Sequence, residues 1–336
     1  MGTSVRSQLW RHGVLEQKDF ALEELSEHLA DPDVLVWVDL WEPDHQRLLQ
    51  LAEELDFDRH AVEDAISFAE RPKVTRHPHH LFLVTYATML DAENLEGEED
   101  HDSRLRLTKV SAFMLPRALI TVRSNRRFGM DEVVERWEEN ADLLKRGATA
   151  LLYGLLDVIV DGHFDTVQQL DDVIESLEDG LFDVGPKQRV QTQQLTFRVR
   201  KELVELRRVV LPMREVVASI LRYREERGRD GELMGYFNDL YDHVLRAAEW
   251  TESLRDMVST IFETTLSLQD ARLNTIMKKL TSWAAIIAVP TAITGWFGQN
   301  VPYPGFNEGW GVWLSTGSIV AIVALLYLTF RRKDWL

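Results

Sequence analysis

Two uncharged apolar stretches near the carboxyl end limit what this chain can fold into more than any other feature. The first is LTSWAAIIAVPTAITGWF, from Leu280 to Phe297, and the second is GVWLSTGSIVAIVALLYLTF, from Gly311 to Phe330. A transmembrane helix needs about 20 predominantly apolar residues. A buried hairpin in a water-soluble protein is the alternative, but two such runs separated by a short loop favour a pair of membrane-spanning helices.

The charges that flank these stretches predict their orientation. Lys278 and Lys279 precede the first stretch and Arg331 to Lys333 follow the second, whereas the loop from Gly298 to Trp310 carries only Glu308. Lys and Arg concentrate on the cytoplasmic side of membrane proteins. We therefore expect a multi-pass protein of the plasma (inner) membrane, with both termini in the cytoplasm and membrane lipid as a partner.

Composition excludes several functions. The 336 residues include 38 Lys and Arg against 55 Asp and Glu, a formal net charge of −17. This charge argues against nucleic acid as a partner, because phosphate binding depends on Lys and Arg, and it suits a protein that attracts cations. The absence of cysteine excludes disulfides and Cys-ligated zinc. No catalytic constellation is present, so we expect neither an enzyme nor an organic cofactor.

The residues that precede the spans predict a small α/β domain with a mixed or antiparallel sheet, followed by long helices. Four strands are predicted at Val34 to Trp41, His79 to Leu90, Arg106 to Pro116 and Ala118 to Ser124. Helices are predicted around Asp44 to Leu55, Asp58 to Ala69, Met130 to Asn140, Ala148 to Phe182, Lys187 to Arg224, and from about Met234 onward.

The last predicted helix is unusually long. It runs without Gly or Pro from Tyr236 to Ala288, on the order of 80 Å at 1.5 Å per residue, which is typical of a stalk. The expected organisation has six parts: a cytoplasmic α/β domain with a helical hairpin (1–231), a stalk helix (232–279), a first, pore-lining transmembrane helix (280–298), an external loop (299–310), a second transmembrane helix (311–330) and a basic cytoplasmic tail (331–336).

A line of small or mildly polar residues follows one face of this helix through the junction with the membrane. Its members are Asn274, Met277, Thr281, Ala284, Ala288, Thr291, Gly295 and Gly298. Such a face normally indicates close helix packing; the alternative is that several copies turn it towards a common axis and line a narrow pore. Two helices cannot enclose a pathway alone, so transport would require an oligomer.

Three histidines in the segment RHPHH, namely His77, His79 and His80, form a possible metal site. Their placement around Pro78, beside a predicted strand, fits a solvated loop better. We therefore expect these side chains to lie in water without binding a metal.

Gly298, Gln299 and Asn300 stand between the two predicted spans. Further distinctive segments are EDAISFAERPK (63–73), LVELRRVVLPMREVVASI (203–220), NDLYDHVLRAAEWTESLRDMVS (238–259) and the ending RRKDWL. Together these segments resemble the CorA family of divalent-cation (magnesium and cobalt) transport channels, within the Gly-x-Asn membrane protein superfamily, whose Gly-Met-Asn stands at the same place. Departures from the family pattern are Gln299 in place of Met, Phe297 and Val301 in place of the usual Tyr and Phe, and a loop without Met-Pro-Glu-Leu.

The resemblance implies a funnel-shaped homopentamer in which each chain's partners are further copies of itself and divalent cations. It also implies Mg²⁺ both as the transported ion and as a regulatory ion bound between subunits. The matching residues are Gly298, Gln299 and Asn300 for the selectivity filter, Asn274, Met277, Leu280 and Thr291 for the pore and gate, and Asp64 and Asp239 for the regulatory metal.

We therefore expect a channel for Mg²⁺ influx, with Co²⁺ and Ni²⁺ as possible further ions, closed by cytoplasmic Mg²⁺. The alternatives are a transporter of Zn²⁺ or another transition metal in the same superfamily, and a membrane-anchored sensor or scaffold without flux. The sequence leaves open whether Leu280, from the family alignment, or Thr281, from the periodicity, faces the axis. Ion preference also stays open, because Gln299 replaces the usual Met.

Overall fold

The computed structural model describes residues 4–67, 70–91, 103–180, 186–226, 231–299, 302–306 and 308–336. The chain divides into two compact units, Met1–Ile261 and Phe262–Leu336. The first unit carries the sheet and most of the helices, and the second carries the two apolar helical segments.

The described residues form seven strands, and helices lie between some of these strands and follow the last of them. The strands are β1 (Ser4–Arg11), β2 (Val14–Lys18), β3 (Val34–Trp41), β4 (Lys73–Arg76), β5 (Leu81–Leu90), β6 (Leu105–Met114) and β7 (Ala118–Arg123). The helices are α1 (Leu25–Ala30), preceded by a 3-10 turn at Leu22–Glu24, α2 (His45–Leu55), α3 (Arg59–Ile66), α4 (Asp131–Glu139), α5 (Ala141–Leu144), α6 (Ala148–Asp179), α7 (Pro186–Val210), α8 (Met213–Glu226), α9 (Gly231–Phe297) and α10 (Gly309–Arg332).

All seven strands form one mixed sheet in the order β2-β1-β3-β7-β6-β5-β4. The central pair, β3 and β7, is parallel, with Asp39 opposite Thr121, and every other pair is antiparallel. The longest pairing joins β5 to β6 over their full lengths, from Leu81 opposite Met114 to Leu90 opposite Leu105. The expected mixed sheet is therefore confirmed.

The sheet has an apolar core on each face. Along β3 the side chains alternate: Val36 and Val38 enter one core, whereas Leu35 and Trp37 enter the other. In the second core the ring of Trp137 packs edge-on against Trp37 with centroids 5.0 Å apart. Burial of both faces explains why β3 reads as a nearly continuous apolar run.

The two edges of the sheet are short and carry charged side chains. β2 is five residues long, with Val14 and the last three positions exposed. β4 is four residues long, and it begins with Lys73 and ends with Arg76. Lys73 binds Asp64, and Arg76 binds Glu226 across to α8.

The predicted strands and helices are largely confirmed, with two corrections. Polar residues interrupt the apolar pattern of β1 and β2, and β4 is a short edge strand, so the sequence analysis missed all three. The single helix expected from Lys187 to Arg224 is wrong: α7 ends at Val210 and α8 begins at Met213. Pro212 accounts for the break, because proline has no backbone N–H to donate and restricts the residue before it.

A buried histidine in the first unit makes stability depend on pH. The His163 side chain on α6 is fully enclosed, and its Nε2 lies 2.8 Å from the Tyr86 carbonyl oxygen. Burial lowers the pKa of His163 from 6.5 to about 4, against a smaller opposing effect of that hydrogen bond. Between about pH 4 and pH 6.5, His163 therefore binds a proton in the unfolded chain but not in the folded chain.

We expect the contribution of neutral His163 to the free energy of unfolding to be complete above pH 6.5 and to be lost as the pH falls towards 4. Its full size is on the order of 3 kcal/mol. Melting temperatures of the full-length protein, measured between pH 7 and pH 5, should fall less in His163→Gln than in the unchanged protein. The exposed His60 supplies the matched control, His60→Gln. An identical pH slope in both variants would contradict this assignment.

Candidate ion pathway and regulatory sites

Two helices in the described part of the chain are long and apolar enough to cross a membrane. One is the carboxyl-terminal part of the 67-residue α9, and the other is the 24-residue α10. α9 continues through Pro290, and nearby threonine hydroxyls bond to its backbone: Thr294 donates to the Pro290 carbonyl at 2.8 Å and Thr291 to the Ile287 carbonyl at 3.3 Å. The apolar spans predicted from the sequence are therefore helical.

The line of small and mildly polar residues on α9 is exposed along its whole length in the single chain. All eight members, from Asn274 to Gly298, are exposed. Met277 is 58% exposed and Leu280 63% exposed. The four predicted pore and gate residues therefore lie on a surface that one chain leaves uncovered.

The opposite side of the same helix is covered. Ser282 is fully buried, Ile286 is 8% exposed, and the partly covered positions continue through Ile293 to Phe297. The Ser282 hydroxyl also donates to the Lys278 carbonyl at 2.8 Å, so it needs no other partner. α9 thus has one covered side and one free side within the membrane segment.

The helix ends in a tight turn at the predicted filter. The Gly298 N–H donates to the Thr294 carbonyl at 2.9 Å, and the Gln299 N–H donates to the Trp296 carbonyl at 3.3 Å. A Cβ at position 298 would lie 2.9 Å from the Thr294 oxygen, too close for any side chain. Gly298 and Gln299 are both exposed, and Asn300 lies outside the described residues.

Aromatic rings and two glycines hold the loop between the spans. The Tyr303 ring meets Phe297 edge-on at 4.9 Å and Phe306 at 5.3 Å. Gly305 has a φ of +92°, and a Cβ on Gly311 would lie only 2.3 Å from the Gly305 oxygen. Only glycine allows this approach at either position, so the loop packs tightly against the start of α10.

Asp64, one of the two predicted regulatory aspartates, is already paired with a cation of its own chain. Its carboxylate lies 2.7 Å from Nζ of Lys73, which also binds Glu70 at 2.6 Å. Burial alone would lower the pKa of Lys73, but the hydrogen bonds that its ammonium donates to the carboxylates of Asp64 and Glu70, with their negative charge, outweigh burial and raise the pKa. Lys109 donates to the backbone carbonyls of Asp64 and Ser67 at the end of α3. This lysine neighbourhood is a feature that the sequence analysis missed.

Asp239, the other predicted regulatory residue, lies near the start of α9 and is largely exposed. Its carboxylate is 3.7 Å from His243, one turn further along the helix. No group of three or more potential metal-binding side chains occurs among the residues that the structure describes. The single chain therefore leaves Asp64 beside Lys73 and Asp239 beside His243, and the metal site between subunits stays a prediction.

The histidine segment departs from the solvated loop expected from the sequence. His79 is exposed, beside Asp56, but His80 is 5% exposed and its ring stacks on His77 with centroids 4.5 Å apart. The expectation is therefore wrong for His80, whose burial beneath the turn depends on residues distant in sequence.

Known proteins resemble this chain in both sequence and fold. Residues 32–332 match the family described as CorA-like Mg2+ transporter protein. The cobalt/magnesium transport protein CorA of Thermotoga maritima is 33% identical over 280 residues, which are 82% of this chain and 76% of that protein.

Solved structures resemble the chain over most of its length. The complete structure of the CorA magnesium transporter from Methanocaldococcus jannaschii has a TM-score of 0.75, with 23% identity and full coverage of both chains. The cytoplasmic domain of ZntB from Vibrio parahaemolyticus has a TM-score of 0.57 at 13% identity, and covers 81% of this chain and all of that one. Both comparisons concern the fold.

Proposed function

Because this chain belongs to the CorA-like Mg2+ transporter protein family and is a divalent-cation transporter, we propose that it forms a homopentameric channel for Mg²⁺ influx. Co²⁺ and Ni²⁺ are further candidate ions. Both termini lie in the cytoplasm in this proposal, and cytoplasmic Mg²⁺ closes the channel. The observation that carries it is the uncovered line of small and mildly polar residues along the membrane segment of α9.

The exposed line needs further copies of the chain. Within the membrane segment this line presents the hydroxyls of Thr281 and Thr291, which water and hydrated ions solvate better than lipid does. Because two helices cannot surround a pathway, copies must meet around an axis that this line faces. Small side chains such as Ala284 and Ala288 then let the copies approach closely.

Burial supports Leu280 over Thr281 as the residue that faces the axis. Each helical residue adds about 100° of rotation, so the buried Ser282 lies nearly opposite Leu280 and only about 100° from Thr281. Lys278, partly covered, lies on the same side as Ser282. With the covered side turned away from the axis, Met277 and Leu280 form an apolar constriction that excludes water when narrow.

The absence of cysteine in the chain makes this proposal directly testable. A single cysteine at Thr291 should react with a positively charged, water-soluble thiol reagent, and the added group should block Mg²⁺ uptake into proteoliposomes. Ile293→Cys, two residues away on the covered side, is the matched control and should leave uptake unchanged. Equal block of both variants, or of neither, would contradict the proposed pore face.

The proposed filter suits a strongly hydrated ion. Mg²⁺ releases its water reluctantly and requires near-octahedral oxygen geometry. A ring of Asn300 amide oxygens can hydrogen-bond to those waters without removing them, and it holds the ion weakly enough for release. Uptake of Mg²⁺, Co²⁺, Ni²⁺ and Zn²⁺ compared in the same proteoliposomes identifies the ion. Absence of all four fluxes would favour the sensor or scaffold.

Regulation is proposed to act through Asp64 and Asp239 at subunit boundaries. Two carboxylates brought together repel, and a divalent cation between them relieves the repulsion. Loss of the ion then loosens the boundary and lets the pore open. The pairing of Asp64 with Lys73 adds a competitor, because the lysine ammonium contacts one oxygen of the carboxylate and offsets the negative charge that would attract a metal.

We expect Asp64→Asn and Asp239→Asn to require more cytoplasmic Mg²⁺ for closure, and Lys73→Gln to require less. The lysine variant leaves Asp64 and Glu70 without their shared cation, which raises their attraction for a divalent ion. Channel current measured while cytoplasmic Mg²⁺ is titrated checks both directions. Wild-type closure in both Asn variants would place the sensor elsewhere, and an unchanged midpoint in Lys73→Gln would remove the proposed competition.

A further inference from the structure

The segment RRKDWL (331–336) ends α10 with a defined turn. The Trp335 N–H donates to the Phe330 carbonyl at 2.9 Å, and the Asp334 N–H donates to the Arg331 carbonyl at 3.3 Å. Asp334 has a φ of +53°, in the left-handed region. These two hydrogen bonds around a left-handed residue are the features of a Schellman motif, which closes a helix and reverses the chain. Residues 330–335 are called the basic cap below.

The motif places an indole ring beside the last apolar residue of the second span. The Trp335 ring lies parallel to the Phe330 ring, at an interplanar angle of 6° with centroids 5.6 Å apart. A hydrophobic contact between these two positions frequently accompanies the motif. Because the apolar stretch ends at Phe330 and Trp prefers the headgroup level of a membrane, the basic cap of a membrane-spanning α10 lies among the headgroups.

Three neighbouring cations in the basic cap have no counter-charge in the chain. Arg331, Arg332 and Lys333 are exposed, and none of them forms an ion pair or a side-chain hydrogen bond with a residue that the structure describes. Asp334 is the only acid in the segment. The helix dipole favours cations in the last turn, but it gives their side-chain N–H groups no acceptor. In a chain of net charge −17 they form a local concentration of positive charge.

The start of the first span adds to this charge. Two consecutive spans place the start of the first and the end of the second at the same membrane surface, so Lys278 and Lys279 lie at the same level as the basic cap. Lys279 is exposed, and it likewise has no ion pair among the described residues. The loop between the spans carries only Glu308. Positive charge is therefore confined to one surface of the membrane.

We propose that the basic cap binds the phosphate groups of anionic phospholipids of the phosphatidylglycerol class. Guanidinium groups bind phosphate with paired, charge-assisted hydrogen bonds, and Lys and Arg next to a span are attracted to an anionic membrane surface. In a zwitterionic lipid a cationic group beside the phosphate weakens that attraction. The proposal rests on the membrane-spanning arrangement proposed above, and it is independent of ion flux.

Tryptophan quenching by brominated lipid tests the proposal on the full-length protein, in nanodiscs of equal parts phosphatidylcholine and phosphatidylglycerol. One lipid or the other carries the bromine, and the quenching of Trp335 is the difference between a protein and its Trp335→Phe form. We expect phosphatidylglycerol to associate with the site about fivefold more strongly than phosphatidylcholine. Arg331→Gln, Arg332→Gln and Lys333→Gln, combined in one variant, should remove this preference.

A matched control changes the net charge equally at another place. Arg200→Gln, Lys201→Gln and Arg208→Gln, combined in one variant, neutralise three exposed cations on α7 of the first unit and should leave the preference unchanged. Salt provides a second test that needs no substitution. The Debye length falls from about 10 Å at about 0.1 M to about 3 Å at about 1 M, so the preference of the unchanged protein should fall as KCl is raised over this range.

Equal quenching by the two lipids in the unchanged protein would overturn the proposal. So would a preference that survives both high salt and loss of the three cations of the basic cap. A preference lost equally in the α7 control would show attraction by net charge alone and would also overturn it. Absence of quenching by either lipid would mean that protein covers Trp335, which excludes a lipid there. None of these readings involves the transported ion, so the channel proposal and this one can fail separately.

Discussion

Asn300→Ala is expected to abolish Mg²⁺ uptake while leaving the assembled protein intact. The change removes the amide oxygens that face the hydrated ion in the proposed filter, and it takes nothing from the apolar cores of the first unit. Uptake into proteoliposomes, with assembly checked by size-exclusion chromatography, measures the effect. Normal uptake by a correctly assembled Asn300→Ala protein would exclude the filter assignment.

The neighbouring residue provides the control for this experiment. Gln299 follows the last helical turn and is exposed, and its side chain is expected to point away from the ion path. Gln299→Ala should therefore retain most of the uptake. Gly298→Ala, in contrast, should impair it, because a Cβ would lie 2.9 Å from the Thr294 oxygen and would force the turn to move.

Asp39→Ala is expected to cause the largest loss of stability in the first unit. Asp39 lies in β3, an interior strand of the sheet, and is fully buried, with its carboxylate 2.5 Å from the guanidinium of Arg123. Thr121 donates to the same carboxylate at 2.7 Å. Removing the acid leaves a buried guanidinium without its counter-charge, which costs about 3–5 kcal/mol in the free energy of unfolding.

Chemical unfolding of the full-length protein measures this loss, and two further variants identify its cause. Asp39→Leu combined with Arg123→Met replaces the pair by apolar groups and should recover much of the stability. Glu226→Ala breaks the exposed pair with Arg76 and should cost only about 0–1 kcal/mol. If the double variant were no more stable than Asp39→Ala, the uncompensated charge would not be the cause.

The local spacing of apolar residues predicts those strands and helices in which apolar side chains recur at a regular interval. β3 has the bounds expected from VLVWVDLW, because both of its faces are buried. β1 was missed because Ser7 and Gln8 are buried polar residues within it, and their burial depends on neighbouring strands. The break at Pro212 shows the opposite case, in which one residue overrides a helical pattern on both sides of it.

The same holds for the candidate sites: residues that are close in sequence could be grouped in advance, whereas partners that are distant in sequence could not. The exposed line on α9 was predictable, because a helix places residues three and four apart on one face. The partner of Asp64 was not, since Lys73 reaches it only through the β4 edge of the sheet. The Asp39–Arg123 pair joins residues 84 apart.

The two edge strands of the sheet are short and charged, and this protects copies of the chain from aggregating through strand pairing when they lie close together. An open strand edge is a template on which the same edge of a neighbouring molecule can add, and such growth has no natural end. Lys73 and Arg76 occupy one edge, and at the other Glu16 and Lys18 are tied to Arg11 and Glu138. A neighbouring strand that paired with either edge would have to displace the water and the ion-pair partners of these charged side chains. Strand pairing between copies at these two edges is therefore disfavoured.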